Sequence, residues 1–321
     1  MMSQGTCFSC AFSFMDKLKK IAPLALNVSL GLVFIVSAVL KVVDMDQFEI
    51  YIYSYHFFSL NFSFLVARFA IIIELVLGIG LVSNTLHKLY WWGSMAMLAG
   101  YTLLLIYALI LGRTDSCHCF GELLPFDPKQ SLVKNVVLMV LFLLVYKVEE
   151  KKTPFRWLIL CIAIMASSIG VFVASPPDNY TDNYLPDQNL QPELFDAMLQ
   201  EPPFDSLNLT NGKQVIGFFS TGCEYCQMAA HKLSLMQQFY GFPAENITYV
   251  FMGNEEGIAK FYEKSGSAHY RDVLCSDVVQ LLKVVNGNFP TIVLVEDGAV
   301  VHEYGFRNMR EEEIGAFFTQ P

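Results

Sequence analysis

The sequence predicts a membrane α-helical bundle, a four-helix core plus a fifth span, followed by an α/β domain. Three observations predict it. Five long apolar runs fill the first 175 residues, in a chain that is 54% apolar and 16% charged, well away from an ordinary soluble composition. Charge divides at the same place: residues 1–175 hold 13 Lys/Arg against 10 Asp/Glu, and residues 176–321 hold 8 against 20. Beyond residue 190, short β-rich runs alternate with helical patterns. The acidic second half excludes nucleic-acid binding, which needs clustered Lys/Arg against phosphate.

The expected spans are Ile21–Val43, Phe64–Val82, Tyr90–Leu111, Leu132–Tyr146 and Trp157–Ala174. A helix needs about 20 apolar residues to cross the hydrocarbon. The fourth run is the shortest and carries Lys134 and Asn135 near its start. The aromatic stretch from Asp46 to Phe58 suits the interface. The first run is too long for a cleaved signal core, and further spans follow it.

Orientation follows the short basic flanks. Lys17, Lys19 and Lys20 precede the first span, Lys88 follows the second, and Lys147, Lys151, Lys152 and Arg156 precede the fifth. With five spans these fall on one side. The expected N-terminus is therefore cytoplasmic, and the C-terminal domain lies outside, in the periplasm of a bacterial cell whose inner membrane holds the spans. The expected divisions are a tail at 1–20, a four-span domain at 21–147, a loop and fifth span at 148–175, a linker at 176–190 rich in Pro, Asn and Asp, and a soluble domain at 191–321.

In the soluble half, "QVIGFFS" reads as a buried strand, and "TGCEYCQ" leads into a helix over Met228–Tyr240. "ITYVFM" is a strand, while "IAKFYEK" and "DVVQLLKVV" are helices. "FPTIVLV" and "AVVHEYG" form a hairpin about Asp297-Gly298, with a helix after it. "FFSTGCEYCQ" and "NFPTIVLVEDGAVV" together resemble a thioredoxin-like domain over about the last 130 residues. Metal sites also use Cys-x-x-Cys, but no second Cys or His pair lies nearby to complete a zinc tetrahedron. Cys223 would stand at a helix N-terminus, where the partial positive charge favours thiolate. The thiolate attacks a partner disulfide, and Cys226 resolves the mixed disulfide. The resemblance implies a cis Pro290 beside the pair. Glu224 and Tyr225 replace the usual Gly-Pro, and the Glu224 charge opposes thiolate formation.

"GLVFIVSAVLKVVDMDQF", "ELVLGIGLV" and "CHCFGE" together resemble the MauE/DoxX family over roughly residues 21–147, with the Cys-x-Cys-Phe-Gly element pointing to the MauE branch. That resemblance implies a link to maturation of methylamine dehydrogenase. The attached domain fits general thiol–disulfide work better. Cys117 and Cys119 would close a very small, strained and therefore oxidising disulfide ring. Gly121 permits a tight turn, and a protonated His118 would favour a thiolate. A metal site using His118, or two inert cysteines, are the other readings.

Charges within spans usually have a partner or a function. Lys41, near the end of its span, is expected either to anchor at the interface by snorkelling or to act within the bundle. Arg68 and Glu74 need not face each other. Glu74 is expected to pair with a neighbouring helix or to hold a proton near a bound quinone. Cys7 and Cys10 read as incidental, and Cys275 as a small buried apolar residue.

The favoured activity is that of a membrane-bound envelope thiol–disulfide oxidoreductase. Cys223/Cys226 would exchange with exported cysteine-containing proteins or a redox carrier, and Cys117/Cys119 would pass electrons toward a membrane acceptor such as quinone. The alternatives are a reductant relay toward exported proteins, resembling DsbD/CcdA transporters, and a non-enzymatic assembly factor. No metal or firmly bound cofactor is implied. The partners are thiol proteins and the lipid bilayer.

Overall fold

A computed structural model describes residues 5–113, 127–178 and 190–319, with side chains from residue 21 onward. The chain divides into two compact units. One comprises residues 1–52 and 64–176, and the other residues 53–63 and 177–321.

The first unit is helical: α1 (Gly5–Val43), α2 (Met45–Tyr53, whose last residue belongs to the second unit), α3 (Leu60–Ser83, whose residues 60–63 belong to the second unit), α4 (His87–Ile110), α5 (Pro128–Val145) and α6 (Arg156–Ala174). Among the described residues, five helical segments are long and apolar enough to cross a membrane: Ile21–Val43 within α1, then α3, α4, α5 and α6. The aromatic stretch after the first span therefore starts as its own helix, α2.

The fourth span starts four residues before its first predicted residue, for a local reason. The Asp127 carboxylate accepts from the Gln130 backbone N–H at 2.7 Å, the Gln130 side chain reaches back to the Asp127 N–H, and Pro128 opens the first turn. This capping box supplies the partners that the first N–H groups lack. Lys134 and Asn135 therefore fall inside the helix.

α1 and α3 meet at Gly31 and Gly78. A Cβ on either would lie 2.8 Å from the other's carbonyl oxygen, so both must be glycine for the backbones to approach this closely. Around this crossing Leu30, Phe34, Leu77, Leu81, Tyr90, Trp91 and Phe142 form the core. The Trp91 indole donates to the Phe142 carbonyl at 2.8 Å, and Asn27 donates to the Leu81 carbonyl at 2.8 Å. Outward-facing Leu103, Ile110, Val133 and Leu144 stay exposed, as lipid-facing positions should.

The second unit carries a five-stranded sheet of β1 (Lys213–Ser220), β2 (Ile247–Met252), β3 (Arg271–Leu274), β4 (Thr291–Glu296) and β5 (Ala299–Tyr304), in the order β3-β2-β1-β4-β5. β1, β2 and β3 run parallel, and β4 and β5 are antiparallel. The same unit also carries α7 (Pro192–Leu199), α8 (Glu224–Tyr240), α9 (Glu255–Ser265), α10 (Val278–Val284) and α11 (Glu311–Thr319).

β1 is central and buried through Val215–Phe219, as its unbroken apolar run requires. The β4–β5 turn places Asp297 and Gly298 at positive φ (49° and 85°), the conformation a two-residue hairpin loop favours. A central β1 flanked by parallel β2 and antiparallel β4, with a helix leaving its C-terminal end, is the thioredoxin-like arrangement. Two elements had no prediction, β3 and α7. β3 is four residues long, and α7 announces itself only through Pro192 in its first turn.

Candidate active site

The site forms where β1 ends and α8 begins. Cys223 is the N-cap of α8, in extended conformation (φ −88°, ψ 120°). Its carbonyl accepts the first helical bond from Gln227 N–H at 3.2 Å, and its sulfur accepts from Cys226 N–H at 3.3 Å. The unpaired N–H groups of a helix start thus converge on the Cys223 sulfur, where they favour negative charge.

Cys226, one turn on, is fully buried, while Cys223 is partly exposed. Both are free thiols. Their acidities are driven apart. The hydrogen bond from Cys226 is the largest influence on Cys223, and the Cys226 and Tyr225 backbone N–H groups act with it. Together these overcome desolvation and the opposing Glu224 charge, and pull Cys223 down to about 6. Burial first, and then the neighbouring Cys223 sulfur, push Cys226 far up. The Glu224 charge has the predicted sign but is the weakest of these influences. The exposed thiol is therefore the nucleophile, and the buried one stays protonated until a mixed disulfide forms.

Neighbouring segments fix the loop. Thr221 N–H donates to the Met252 carbonyl at 3.0 Å. Gly253, at φ 152°, lets the β2–α9 turn lie against Thr221, because a Cβ there would come within 2.2 Å of the Thr221 hydroxyl. The Phe289–Pro290 bond is cis. Since Thr291 pairs with Phe218, the register carries Pro290 to the end of the sheet from which the dithiol loop leaves.

A cluster that had no sequence signal backs the loop. Asp178, within the segment read as linker, is buried. One of its oxygens meets Arg307 at 2.8 Å, and the other lies 3.7 Å from the buried Lys232 ammonium. Lys232 also donates to the Phe306 carbonyl at 3.2 Å and sits 3.9 Å from the Phe306 ring centroid. Phe306 packs on Tyr225, between the two cysteines, at 5.3 Å. Lys232 lies in a helix whose pattern gives no reason to bury it.

Other predicted residues are distributed as follows. Glu74 pairs with Lys41 (2.8 and 3.0 Å), which also donates to Ser37 at 2.7 Å. Lys41 is 2% exposed, so the snorkelling reading is corrected: an acceptor on α3 is nearer than the interface. Arg68 pairs with Glu49 and donates to the carbonyls of Phe64, Ser175 and Pro176 at 2.8–2.9 Å. Cys275 is buried, and Cys161 is exposed on α6. Cys117, Cys119, His118 and Gly121 lie outside the described residues, as do the side chains of Cys7 and Cys10.

Residues 19–147 match the family model described as methylamine utilisation protein MauE. The N-terminal region carries a MauE domain. Protein TlpB of Flavobacterium psychrophilum is 27% identical over 308 residues, covering 80% of this chain and 83% of that protein. Two solved structures are similar to the C-terminal part. The thioredoxin domain of a thiol-disulfide oxidoreductase from Bacteroides vulgatus is 22% identical, with 35% of this chain and 82% of that chain covered, at TM-score 0.30. A secreted disulfide oxidoreductase of Mycobacterium tuberculosis is 20% identical, with 38% and 90% covered, at TM-score 0.29. The MauE domain and the dithiol unit together make this a multi-pass membrane protein with the apparatus of a thiol–disulfide oxidoreductase.

Proposed function

We propose that the chain oxidises exported cysteine-containing proteins and passes the electrons into the membrane. The observation that carries this reading is the asymmetry of the dithiol: a low-pKa, partly exposed Cys223 capping α8 beside a buried Cys226. A disulfide at Cys223–Cys226 accepts a substrate thiolate at Cys223, and the second substrate thiolate then releases the oxidised product. Two electrons and two protons remain on Cys223 and Cys226. A disulfide at Cys117–Cys119 takes them in a second exchange, and a quinone is the lipid-soluble two-electron acceptor that reoxidises that pair. The basic flanks support a cytoplasmic N-terminus in a bacterial inner membrane, with the thioredoxin-like unit in the periplasm.

Acid trapping and alkylation of intact cells tests the sequence of steps. Wild type is expected to show Cys223/Cys226 in both redox states, and Cys117→Ser or Cys119→Ser is expected to drive them toward dithiol. A drive toward disulfide reverses the direction of flow. No change removes Cys117 and Cys119 from the path.

A further inference from the structure

Two ion pairs are buried inside the MauE domain, and they are built differently. The Arg68 guanidinium is bound by Glu49, three backbone carbonyls and the Ser175 hydroxyl, a closed clamp. Lys41–Glu74 instead borders a cavity of about 30 Å³ lined by Val33, Phe34, Leu98, Leu138 and the polar side chains of Ser37, Tyr101, Lys134 and Asn135. The Tyr101 hydroxyl is fully buried there and has no hydrogen-bond partner among the described residues. Lys41 occupies two lone-pair positions of the Glu74 carboxylate, which has about four.

Size decides the occupant. A water needs roughly 10–15 Å³ of such space and two to four polar partners, so this cavity suits about two waters. The groups facing it from four helices are Lys41 on α1, Glu74 on α3, Tyr101 on α4, and Lys134 and Asn135 on α5. Lys134 lies six residues into α5 and Tyr101 nine residues before the end of α4. At about 1.5 Å rise per residue, the cavity is roughly 9–14 Å from the bundle end where the chain passes from α4 to α5. Cys117 and Cys119 belong to that connection in sequence.

We propose that this cavity is a hydrated proton station, with waters joining the Tyr101 hydroxyl and Lys134 to the Glu74 carboxylate. The proposal rests on the redox reading above. When a dithiol reduces a quinone, two S–H bonds are lost and one S–S bond forms. Two electrons go to the quinone, and two protons must follow to its two oxygens. Glu74 takes one such proton in passing, becoming a carboxylic acid, and gives it up as the quinol forms. Tyr101 and Glu74 touch the travelling proton, while Lys41 positions the carboxylate.

Two measurements on the full chain in lipid nanodiscs test this. Radiolytic hydroxyl-radical footprinting labels residues beside internal water. Tyr101 is expected to be labelled much faster than Tyr90, whose hydroxyl is buried too but lines no such cavity; equal protection of both overturns hydration. Time-resolved infrared spectra are then recorded while a short-chain ubiquinone oxidises the dithiol protein. A transient carboxylic C=O band is expected during the quinone step that Glu74→Gln abolishes; a band that survives the substitution overturns the role of Glu74. Tyr101→Phe, which keeps the ring, is expected to slow the quinone step severalfold and to leave exchange with a small external disulfide unchanged. An unchanged quinone step overturns the proton path. If wild type exchanges disulfides but never reduces the quinone, the redox reading fails, and the footprint still decides the hydrated site.

Discussion

The membrane unit and the soluble unit both bury charge, and they do it under different constraints. In the bundle, Arg68 fills its donors with Glu49, Ser175 and backbone carbonyls, and is 1% exposed. The surrounding lipid offers no group that could take over a lost partner. In the soluble unit, Asp178 is 1% exposed and holds Lys232 and Arg307, but the Arg307 side chain remains 31% exposed. One end of that cluster therefore reaches water. The lesson is that at Arg68 the bundle uses charge as a closed clamp between helices, whereas at Asp178 the soluble unit uses it to brace a surface loop beside reactive sulfur.

Breaking the clamp is expected to have the largest effect. Arg68→Met removes the buried ion-pair partner of Glu49 and the donor to the Ser175 and Pro176 carbonyls, and should cost roughly 3–5 kcal/mol, as removal of one partner of a buried pair does. Thermal unfolding in detergent measures it, and the double change with Glu49→Met should restore much of the loss. If the single and double variants are equally unstable, the ion pair is not what holds the clamp.

Asp178→Asn should cost less, about 1–3 kcal/mol, because hydrogen-bonding capacity remains and Arg307 can turn to water. Limited proteolysis of the soluble unit should accelerate, and the Phe306–Tyr225 contact should loosen, seen as faster alkylation of Cys223. Unaltered alkylation would show that the brace does not reach the dithiol.

The next effect concerns ionisation. Cys223 falls from the usual 9.0 to about 6. Its iodoacetamide reactivity should rise with pH through a midpoint near 6 and be flat by pH 8. The sign for stability follows: the folded thiol is the stronger acid, so its stabilisation of the reduced protein is complete above pH 9 and is lost as pH falls from 9 through 6. A midpoint near 9 would remove the helix-start argument. The smallest effect is expected from Glu224→Gln. It removes a charge that opposes the thiolate, so the midpoint should move slightly lower, and any upward movement would reverse the assigned sign.

Much of the fold was legible because its signals are local. Apolar runs of about 20 residues mark spans regardless of their neighbours, and "TGCEYCQ" before a helical pattern puts Cys223 on a helix start. The capping signal at Asp127–Gln130 is equally local, but Lys134 and Asn135 beside it interrupt the apolar run that marks a span. α7 and β3 were missed because short elements owe their stability to packing rather than to periodicity. Lys41 was left between two readings because distance from a helix end says nothing about which way a side chain can turn.

What the sequence alone determined is the order of parts: apolar helices, then a β/α domain with a dithiol at a helix N-terminus. Backbone hydrogen bonding and burial of apolar surface act over a few residues or one helix length, so composition and period suffice to read them. Only the tertiary structure decided which charges meet. Lys41 finds Glu74 33 residues away, and Asp178 finds Arg307 129 residues away. Coulombic pairing depends on distances set by how helices rotate and cross, and the cavity beside Glu74 exists only once four helices have packed.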